Sequence, residues 1–248
     1  MIKLQNVNVY LHSNHILKDI SVTIDQGDFI IVVGHNGAGK STLFNTLAGK
    51  LPIHSGSILF DNVNFSSLSR AYQAEFVAQL HQKPQQNCVG SMTVAQNLAL
   101  SNLKGKNASL KSAMSFFPQE SVVKLQELYP NAHHLLQNKM SNLSGGQQQI
   151  IAFIMATLHT PKLLLLDEPT AALDPQAATN MLVFAKKLIE RNKLTTIMIT
   201  HDPHIALALG NKIWVLQQGR IVREINKNVE KYLSPEDLIG TIDYAKLV

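Results

Sequence analysis

The sequence predicts an α/β protein with a mostly parallel sheet, an antiparallel β layer at the N-terminus and an inserted α-helical subdomain. Three observations support this fold class. Apolar and polar residues alternate over much of residues 2–24, a pattern typical of half-buried strands. Two continuous apolar runs, Phe29–Val33 and Leu163–Leu166, are typical of strands buried on both faces of a parallel sheet. From about residue 84 to residue 137 the β pattern disappears and helical segments predominate.

Composition limits where such a protein can be located. The 248 residues, 45% of them hydrophobic, can bury a sizeable core, and the apolar stretches fall short of the roughly 20 residues that a membrane span needs. Met1–Leu4 leads directly into strand-like sequence rather than into a secretory signal. Cys88 is the one cysteine, which excludes an intramolecular disulfide and suits a reducing compartment. We therefore expect a cytoplasmic protein.

The net charge of +5 and the pI near 9.2 raise the question of a nucleic-acid partner. The basic residues are scattered, with only short pairs such as Lys186-Lys187 and no block of five or six. We expect no nucleic-acid partner. An anionic membrane surface is the more favoured neighbour.

The first two strands are predicted at residues 2–10 and 16–24, and the turn Asp25–Asp28 leads from them into the buried run Phe29–Val33. Tyr10 lies thirty residues before Lys40. Its ring could stack on an adenine, as aromatic rings do on bases generally. The alternative is a strand-end tyrosine that packs on its own sheet.

The segment Gly34–Thr42 joins Phe29–Val33 to a helix-like segment, and we call it the phosphate loop. Its three glycines let the backbone turn with N–H groups pointing inward, so that the loop and the helix N-terminus form a cradle for a polyphosphate. Lys40 would reach the β- and γ-phosphates, and the Ser41 hydroxyl would coordinate Mg²⁺. A dinucleotide-binding glycine turn is the alternative, but that turn needs no Lys-Ser pair. The predicted ligands are His35, Asn36, Gly37, Ala38, Gly39, Lys40, Ser41 and Thr42.

Gln82 follows a strand predicted at residues 76–81. A Gln amide close to the phosphate site can coordinate Mg²⁺ or order a water, although a merely polar loop explains it equally well. A helix is predicted to begin within residues 91–98 with Thr93 as its N-cap. Apolar residues of Lys83–Asn102 could line a groove for a partner helix, or they could be core: Val89, Met92, Val94 and Leu98.

A second helix start of the phosphate-binding type lies at Leu143–Gln147, where Ser144 is the predicted cap. The backbone N–H groups of Gly145-Gly146 favour an anion there, in the manner of the phosphate loop. The two helix starts are separated by about a hundred residues. One of them could therefore serve a nucleotide held by another chain. The residues concerned are Ser144, Gly145, Gly146 and Gln147.

Two carboxylates follow the apolar run Leu163–Leu166. Asp167 would hold Mg²⁺ through water, and Glu168 would face the attacking water as a general base. A helix is predicted from about residue 171 to Arg191. The next predicted strand, residues 195–200, ends at His201, which could donate a hydrogen bond to a γ-phosphate.

The remaining sequence predicts a hairpin over residues 213–225 and a helix capped at residues 234–237. The predicted organisation is a single domain. Residues 1–83 and 161–226 form its nucleotide-binding core with the β layer, residues 84–160 form a helical subdomain, and residues 227–248 form a helical tail.

This ordered set resembles the ATP-binding subunit of ABC transporters over essentially the whole chain. Gly34–Thr42 matches the family's Walker A motif, Gln82 its Q-loop, Leu143–Gln147 its signature motif and Leu163–Asp167 its Walker B motif. Three further positions match the catalytic glutamate, the D-loop aspartate and the switch histidine: Glu168, Asp174 and His201.

The resemblance implies a P-loop NTPase fold that binds ATP and Mg²⁺ and hydrolyses ATP. It implies a head-to-tail dimer in which the signature motif of one chain covers the γ-phosphate held by the other. It also implies integral membrane permease subunits, indirectly a substrate-binding protein, and a peripheral location on the cytoplasmic face of the inner membrane. A soluble cassette outside transport, for example in iron–sulfur assembly, is the alternative.

The sequence departs from many members of the family after the signature motif. Ile150 and Met155-Ala156-Thr157 stand where an Arg and a later Arg-Ala-Leu are common. The run Met155–Pro175 is closer to bacterial importers for amino acids of the tryptophan or tyrosine type. The resemblance therefore suggests import of a small solute such as an amino acid.

Overall fold

The computed structural model describes residues 1–102, 122–123, 125–126, 129–227, 229–230 and 233–244. Most residues between 103 and 128, in the middle of the predicted helical subdomain, lie outside the described residues. So do residues 245–248 at the end of the predicted tail. The described strands form two sheets, one of four strands and one of six.

The smaller sheet is the predicted N-terminal β layer. It consists of β1 (Ile2–Leu11), β2 (Asn14–Ile24), β4 (Ser55–Phe60) and β5 (Val63–Asn64), all paired antiparallel in the order β2-β1-β4-β5. The alternating sequence predicted β1 and β2 correctly. Its apolar residues, such as Val9 and Leu17, pair across the two strands and lie buried.

The larger sheet carries the predicted parallel core. Its strands are β3 (Phe29–Val33), β6 (Val77–Leu80), β7 (Leu163–Asp167), β8 (Thr196–Ile199), β9 (Lys212–Gln217) and β10 (Arg220–Asn226), in the order β10-β9-β3-β8-β7-β6. All neighbouring pairs are parallel except the β9-β10 hairpin. The carboxyl ends of β3, β8, β7 and β6 therefore meet at one edge, where open parallel sheets bind their ligands.

Seven helices are described: α1 (Lys40–Leu47), α2 (Arg70–Phe76), α3 (Val94–Asn102), α4 (Gly145–Thr157), α5 (Pro175–Asn192), α6 (Pro203–Leu209) and α7 (Pro235–Tyr244). Short 3-10 turns cover Phe65–Ser67, Pro84–Gln86, Pro130–Leu135 and Met140–Asn142. The helices predicted after residues 91, 171 and 234 are confirmed, and so is the hairpin.

The start of β6 differs from the predicted start of this strand. Phe76 was predicted to begin a strand, but it ends α2, and the strand begins at Val77. The aromatic ring of Phe76 meets that of Phe60 edge-on at 5.6 Å, and the Gln73 side chain donates to the Phe65 carbonyl. These long-range contacts favour the helix, and no local pattern reveals them.

Two hydrophobic cores lie on opposite faces of the larger sheet, because successive residues of its strands alternate between them. Ile30 and Val32 pack with the antiparallel layer and α1, whereas Ile31 and Val33 pack with the helical segments. Leu238 of α7 belongs to this second core. The tail helix is therefore attached to the domain.

Among the helices in the described parts of the chain, none has the length and the apolar character that crossing a membrane requires.

Candidate functional site

The phosphate loop follows β3 and leads into α1. Gly34, Gly37 and Gly39 all have positive φ angles, at 153°, 81° and 105°. A Cβ atom on Gly34 would lie 2.1 Å from the Leu216 carbonyl oxygen, so no side chain fits at this position. The first N–H groups of a helix have no intrahelical partners, and at α1 no capping side chain binds them. The loop therefore has the backbone that the sequence predicted for a phosphate cradle.

Lys40 lies over this loop and is only 8% exposed. Its Nζ atom donates to the carbonyl oxygens of Gly34 at 2.6 Å and His35 at 2.9 Å. Burial lowers the pKa of Lys40, while the charges of Glu168 and Asp167 act in the opposite direction. The lysine and the two carboxylates therefore share one electrostatic environment, although more than 120 residues separate them in sequence.

Asp167 ends β7 beside the phosphate loop. Burial raises its pKa, the neighbouring Glu168 charge raises it further, and the charges of Lys50 and Lys40 lower it. A cation would relieve this crowding of negative charge. The predicted Mg²⁺ ligands Ser41, Gln82 and Asp167 offer only oxygen donors and a single carboxylate, which fits an ion that also binds phosphate oxygens.

Two residues with separate predicted roles, Glu168 and His201, contact each other in the structure. The His201 Nε2 atom lies 2.7 Å from Glu168 Oε1, with 48% of the His201 side chain and 24% of the Glu168 side chain exposed. Each follows one of two adjacent parallel strands, β8 and β7, and the adjacency of these strands brings the two side chains together. Glu168 also has a φ angle of 45°, a left-handed conformation that costs a non-glycine residue about 1–2 kcal/mol. Strain of this kind often marks a functional position.

Gln82 comes two residues after β6, at the same edge of the sheet as Asp167. Two residues that the sequence did not single out, Asn87 and Gln149, connect the loop that carries Gln82 to the helical subdomain. The Asn87 side chain accepts from the His81 amide at 2.7 Å and donates to the His81 carbonyl at 2.9 Å. Gln149 of α4 is fully buried and donates to the same carbonyl at 3.1 Å. A movement of α4 therefore reaches the Gln82 loop directly.

Lys50 was also missed. Its Nζ atom donates to Gln79 Oε1 at 2.7 Å and lies 3.1 Å from His81 Nε2. Because an ammonium group only donates, His81 accepts at Nε2. Burial and the Lys50 charge both lower the pKa of His81. Lys50 thus adds a second cation beside Asp167, after Lys40.

The predicted cap of α4 is confirmed. Ser144 Oγ accepts from the Gln147 amide at 3.3 Å, and Gln147 Oε1 accepts from the Ser144 amide at 3.1 Å. Ser144 and Gly145 are exposed, whereas a Cβ atom on Gly146 would lie 2.9 Å from Ala177 Cβ in α5. Asp174, predicted as the D-loop aspartate, caps α5 by accepting from the Ala177 amide. Binding of a nucleotide by these residues stays a prediction.

Tyr10 is partly engaged by its own sheet. Its ring stacks on that of His15 with centroids 4.2 Å apart, and it meets the His54 ring edge-on at 5.0 Å. Its neighbour Val9 points into the core, so that Tyr10 lies on the other face of β1. About 38% of Tyr10 is exposed. Stacking of an adenine on this ring stays a prediction.

The predicted partner groove is partly wrong. Val94 and Leu98 are fully buried in the core on the helical side of the larger sheet, so they cannot line a surface groove. Val89 is 42% exposed, and Leu100 in the same segment is 41% exposed. Of the four predicted residues, Val89 is therefore exposed as expected and Met92 is half-buried, so the exposed apolar surface of Lys83–Asn102 is smaller than the sequence pattern indicated.

The family described as ABC transporter matches residues 17–171 of this chain. A tyrosine transport ATP-binding protein from Clostridioides difficile (strain R20291) is 33% identical over 238 residues, which cover 96% of this chain and 95% of the relative.

Two solved structures support the same grouping. The protein cbiO1 of Clostridium perfringens, described as part of the ABC transporter complex cbiONQ, superposes with a TM-score of 0.80 at 27% identity and covers 98% of this chain and 94% of its own. The ATP-binding cassette MJ0796, solved as a dimer in a post-hydrolysis state with ADP and phosphate, superposes with a TM-score of 0.74 at 26% identity. That match covers 91% of this chain and 98% of the cassette.

Proposed function

The chain belongs to the ABC transporter family and is an ATP-hydrolysing subunit that powers transport; from this premise we propose that it drives import of an amino acid or a similar small solute through a separate membrane permease. The observation that carries the catalytic part is the Glu168–His201 pair at 2.7 Å, within electrostatic reach of Lys40 in the phosphate loop.

The phosphate loop holds ATP in this proposal. Its backbone amides and Lys40 bind the β- and γ-phosphates, and Ser41, Gln82 and Asp167 would hold Mg²⁺. When bound, the ion neutralises charge on the phosphates. These three residues fit that ion because they offer oxygen donors beside the negatively charged pair Asp167 and Glu168.

Glu168 acts as the general base for the attacking water, and its contact with His201 suggests how this base is released. His201 Nε2 has one hydrogen to donate, and here its neighbour is Glu168 Oε1 at 2.7 Å. A γ-phosphate that takes this hydrogen bond frees the carboxylate for water. The base is thus released only when the γ-phosphate is in place.

A second copy of the chain completes the site in this proposal. The exposed Ser144-Gly145 start of α4 covers the γ-phosphate bound by the partner's phosphate loop, and the two chains close head to tail. Two features support it: the chain has two helix starts suited to phosphate, and the related cassette MJ0796 was solved as a dimer with ADP and phosphate.

The proposed solute class rests on the relative. That relative is a tyrosine transport ATP-binding protein, and the present chain covers 95% of it. We therefore propose tyrosine or a similar amino acid as solute, integral permease subunits, a substrate-binding protein that delivers the solute, and a peripheral location on the cytoplasmic membrane face. None of the three similar proteins reported above favours a cassette outside transport.

Reconstitution with the cognate permease in liposomes tests this proposal. ATP hydrolysis should rise when the loaded substrate-binding protein is added, and labelled tyrosine should accumulate inside the vesicles only with ATP. A Glu168→Gln preparation is the control for uptake that does not need hydrolysis. Hydrolysis without uptake of any tested amino acid would disprove the solute class, and a failure to bind the permease would disprove the transport role.

A further inference from the structure

The helix α7 contacts the phosphate loop directly. His35 Nε2 lies 3.2 Å from the main-chain carbonyl oxygen of Ile242. Because a carbonyl oxygen only accepts, Nε2 carries the hydrogen of this bond. His35 directly follows Gly34, and Gly37 stands two residues further on, both with positive φ angles. The side chain of His35 therefore attaches a glycine-rich backbone to a helix near the other end of the sequence.

A second contact fixes the turn of α7 that carries this carbonyl group. Arg223 of β10 donates from Nη1 to Thr241 Oγ1 at 3.1 Å, and its Nη2 atom pairs with Glu230 Oε2 at 2.6 Å. Thr241 precedes Ile242 in the sequence. Arg223 therefore links the larger sheet to the residue next to the partner of His35.

Apolar packing leaves α7 with room beside the loop. Leu238 is fully buried, but Ile239 is 46% exposed. A surface pocket of about 290 Å³ is lined by residues of α7, of the loop and of the turn that carries His201. On this side α7 makes few apolar contacts with the loop, and segments with few such contacts are displaced more easily. The polar contacts of Arg223 and His35 therefore have a large share in where it sits.

We propose that α7 braces the phosphate loop, with Arg223 and the His35 side chain acting as positioning residues for ATP binding. The proposal rests on the ATP site described above. A braced loop has lost part of its conformational freedom before the nucleotide arrives, so binding costs less entropy. Coupling of this kind is reciprocal, and a nucleotide in the loop also holds α7 in place.

Variants outside the site test the brace. Thr241→Val removes the hydroxyl that Arg223 binds, and Thr241→Ser retains it. Arg223→Ala removes both contacts, whereas Glu230→Gln removes only the ion pair. ATP affinity is measured by equilibrium titration of the isolated protein. Hydrogen exchange of residues 34–36 and 235–244 is followed without nucleotide.

We expect Thr241→Val and Arg223→Ala to weaken ATP binding by about threefold to tenfold, the effect of one or two hydrogen bonds. Exchange should become faster in α7 and in the loop together. Thr241→Ser and Glu230→Gln should behave like the unaltered protein. The kcat at saturating ATP should not change, because the brace acts before the nucleotide is bound.

Unchanged ATP affinity with faster exchange in α7 alone would overturn the brace, and tighter ATP binding would show that α7 obstructs the loop instead. If Arg223→Ala does not fold, the Val and Ser variants of Thr241 decide the question. A failure of the unaltered protein to bind ATP would contradict the ATPase assignment itself. The brace is tested only by the differences between the variants and the unaltered protein, so the two failures can be distinguished.

Discussion

The N-termini of α1 and α4 both have a glycine-containing sequence suited to binding phosphate. They differ in how their first amide groups are capped and in how exposed they are. At α1, Gly39 offers no capping side chain, and Lys40 is buried against the loop carbonyl groups. At α4, Ser144 and Gln147 cap one another's amides, and Ser144 is exposed. The first is a site enclosed by its own chain, and the second is a capped surface available to another molecule.

Strain and crowded charge are also unevenly distributed between the two regions. Near α1, Glu168 has a left-handed backbone and Asp167 a raised pKa. The α4 start has an ordinary capping box. Functional sites commonly retain such local costs because chemistry needs them. From this difference we expect α1 to belong to a reaction site and the start of α4 to be a stable surface that another chain recognises. Four predictions test this comparison, beginning with the largest expected effect.

Glu168→Gln removes the proposed base from the α1 region. Turnover should fall at least about hundredfold, the usual scale for a general base, while ATP binding stays intact. The closed dimer should accumulate because its nucleotide is not hydrolysed. Steady-state hydrolysis and light scattering with Mg-ATP measure these two effects. Lys40→Ala is the contrasting variant, since it should lose nucleotide affinity. Near-normal turnover in Glu168→Gln would exclude the role of Glu168 as the base.

Ser144→Arg alters the α4 region alone. A bulky cation at an exposed helix start should prevent closure over the partner's nucleotide, so that the ATP-dependent dimer weakens at least about tenfold, or 1.4 kcal/mol. ATP binding to the monomer should be unchanged. Ser144→Ala, which loses the N-cap acceptor without adding bulk or charge, controls for loss of the helix cap alone. Equal loss of monomer affinity would show that both helix starts act within one chain.

A glycine pair compares the packing of the two regions. Gly34→Ala would place a methyl group 2.1 Å from the Leu216 carbonyl oxygen, whereas on Gly145 the nearest atom lies 3.4 Å away in the flexible Leu173 side chain. We expect Gly34→Ala to lower the free energy of unfolding by about 2 kcal/mol or more, and Gly145→Ala to change it by less than about 0.5 kcal/mol. Urea denaturation measures both. Equal effects would remove the contrast in enclosure.

Much of this contrast was readable in the sequence because its signals are local. The phosphate loop, the apolar run before Asp167 and the cap at Ser144 each lie within a few consecutive residues. Their backbone consequences follow from glycine conformation, strand burial and capping chemistry. The structure confirms β3, β7 and the cap of α4. The match to the ABC transporter family confirms the family that the motifs indicated.

The remaining features depend on residues distant in sequence, and local patterns could not specify them. The Glu168–His201 contact requires β7 and β8 to be neighbours. The hydrogen bond from Gln149 to the His81 carbonyl requires α4 to lie beside the Gln82 loop. Val94 is a core residue, but a residue lining a surface groove would have shown the same apolar spacing in the sequence. Apolar periodicity identifies a buried face without identifying what covers it.

The smallest predicted effect concerns the charge held beside α1. The raised pKa of Asp167 means that the folded protein binds a proton more tightly than the unfolded chain does. Stability therefore falls as pH rises from the ordinary pKa near 3.8 through the folded value, and the full cost remains at neutral pH. Asp167→Asn should raise the melting temperature of the nucleotide-free protein at pH 7 by up to about 3 °C, and this gain should vanish in acid.

Asp61 provides the control with the opposite sign. Its hydrogen bonds to Lys162 and to the N-terminal ammonium group lower its pKa to about 2. Its contribution to stability is therefore present above pH 3.8 and is lost as pH falls towards 2. Because Asp61 is about half exposed, Asp61→Asn should lower the melting temperature at pH 7 only slightly. Thermal unfolding of both variants between pH 2 and pH 7 measures the two effects. A lower melting temperature of Asp167→Asn at neutral pH would show that the charge of Asp167 does not destabilise the folded protein.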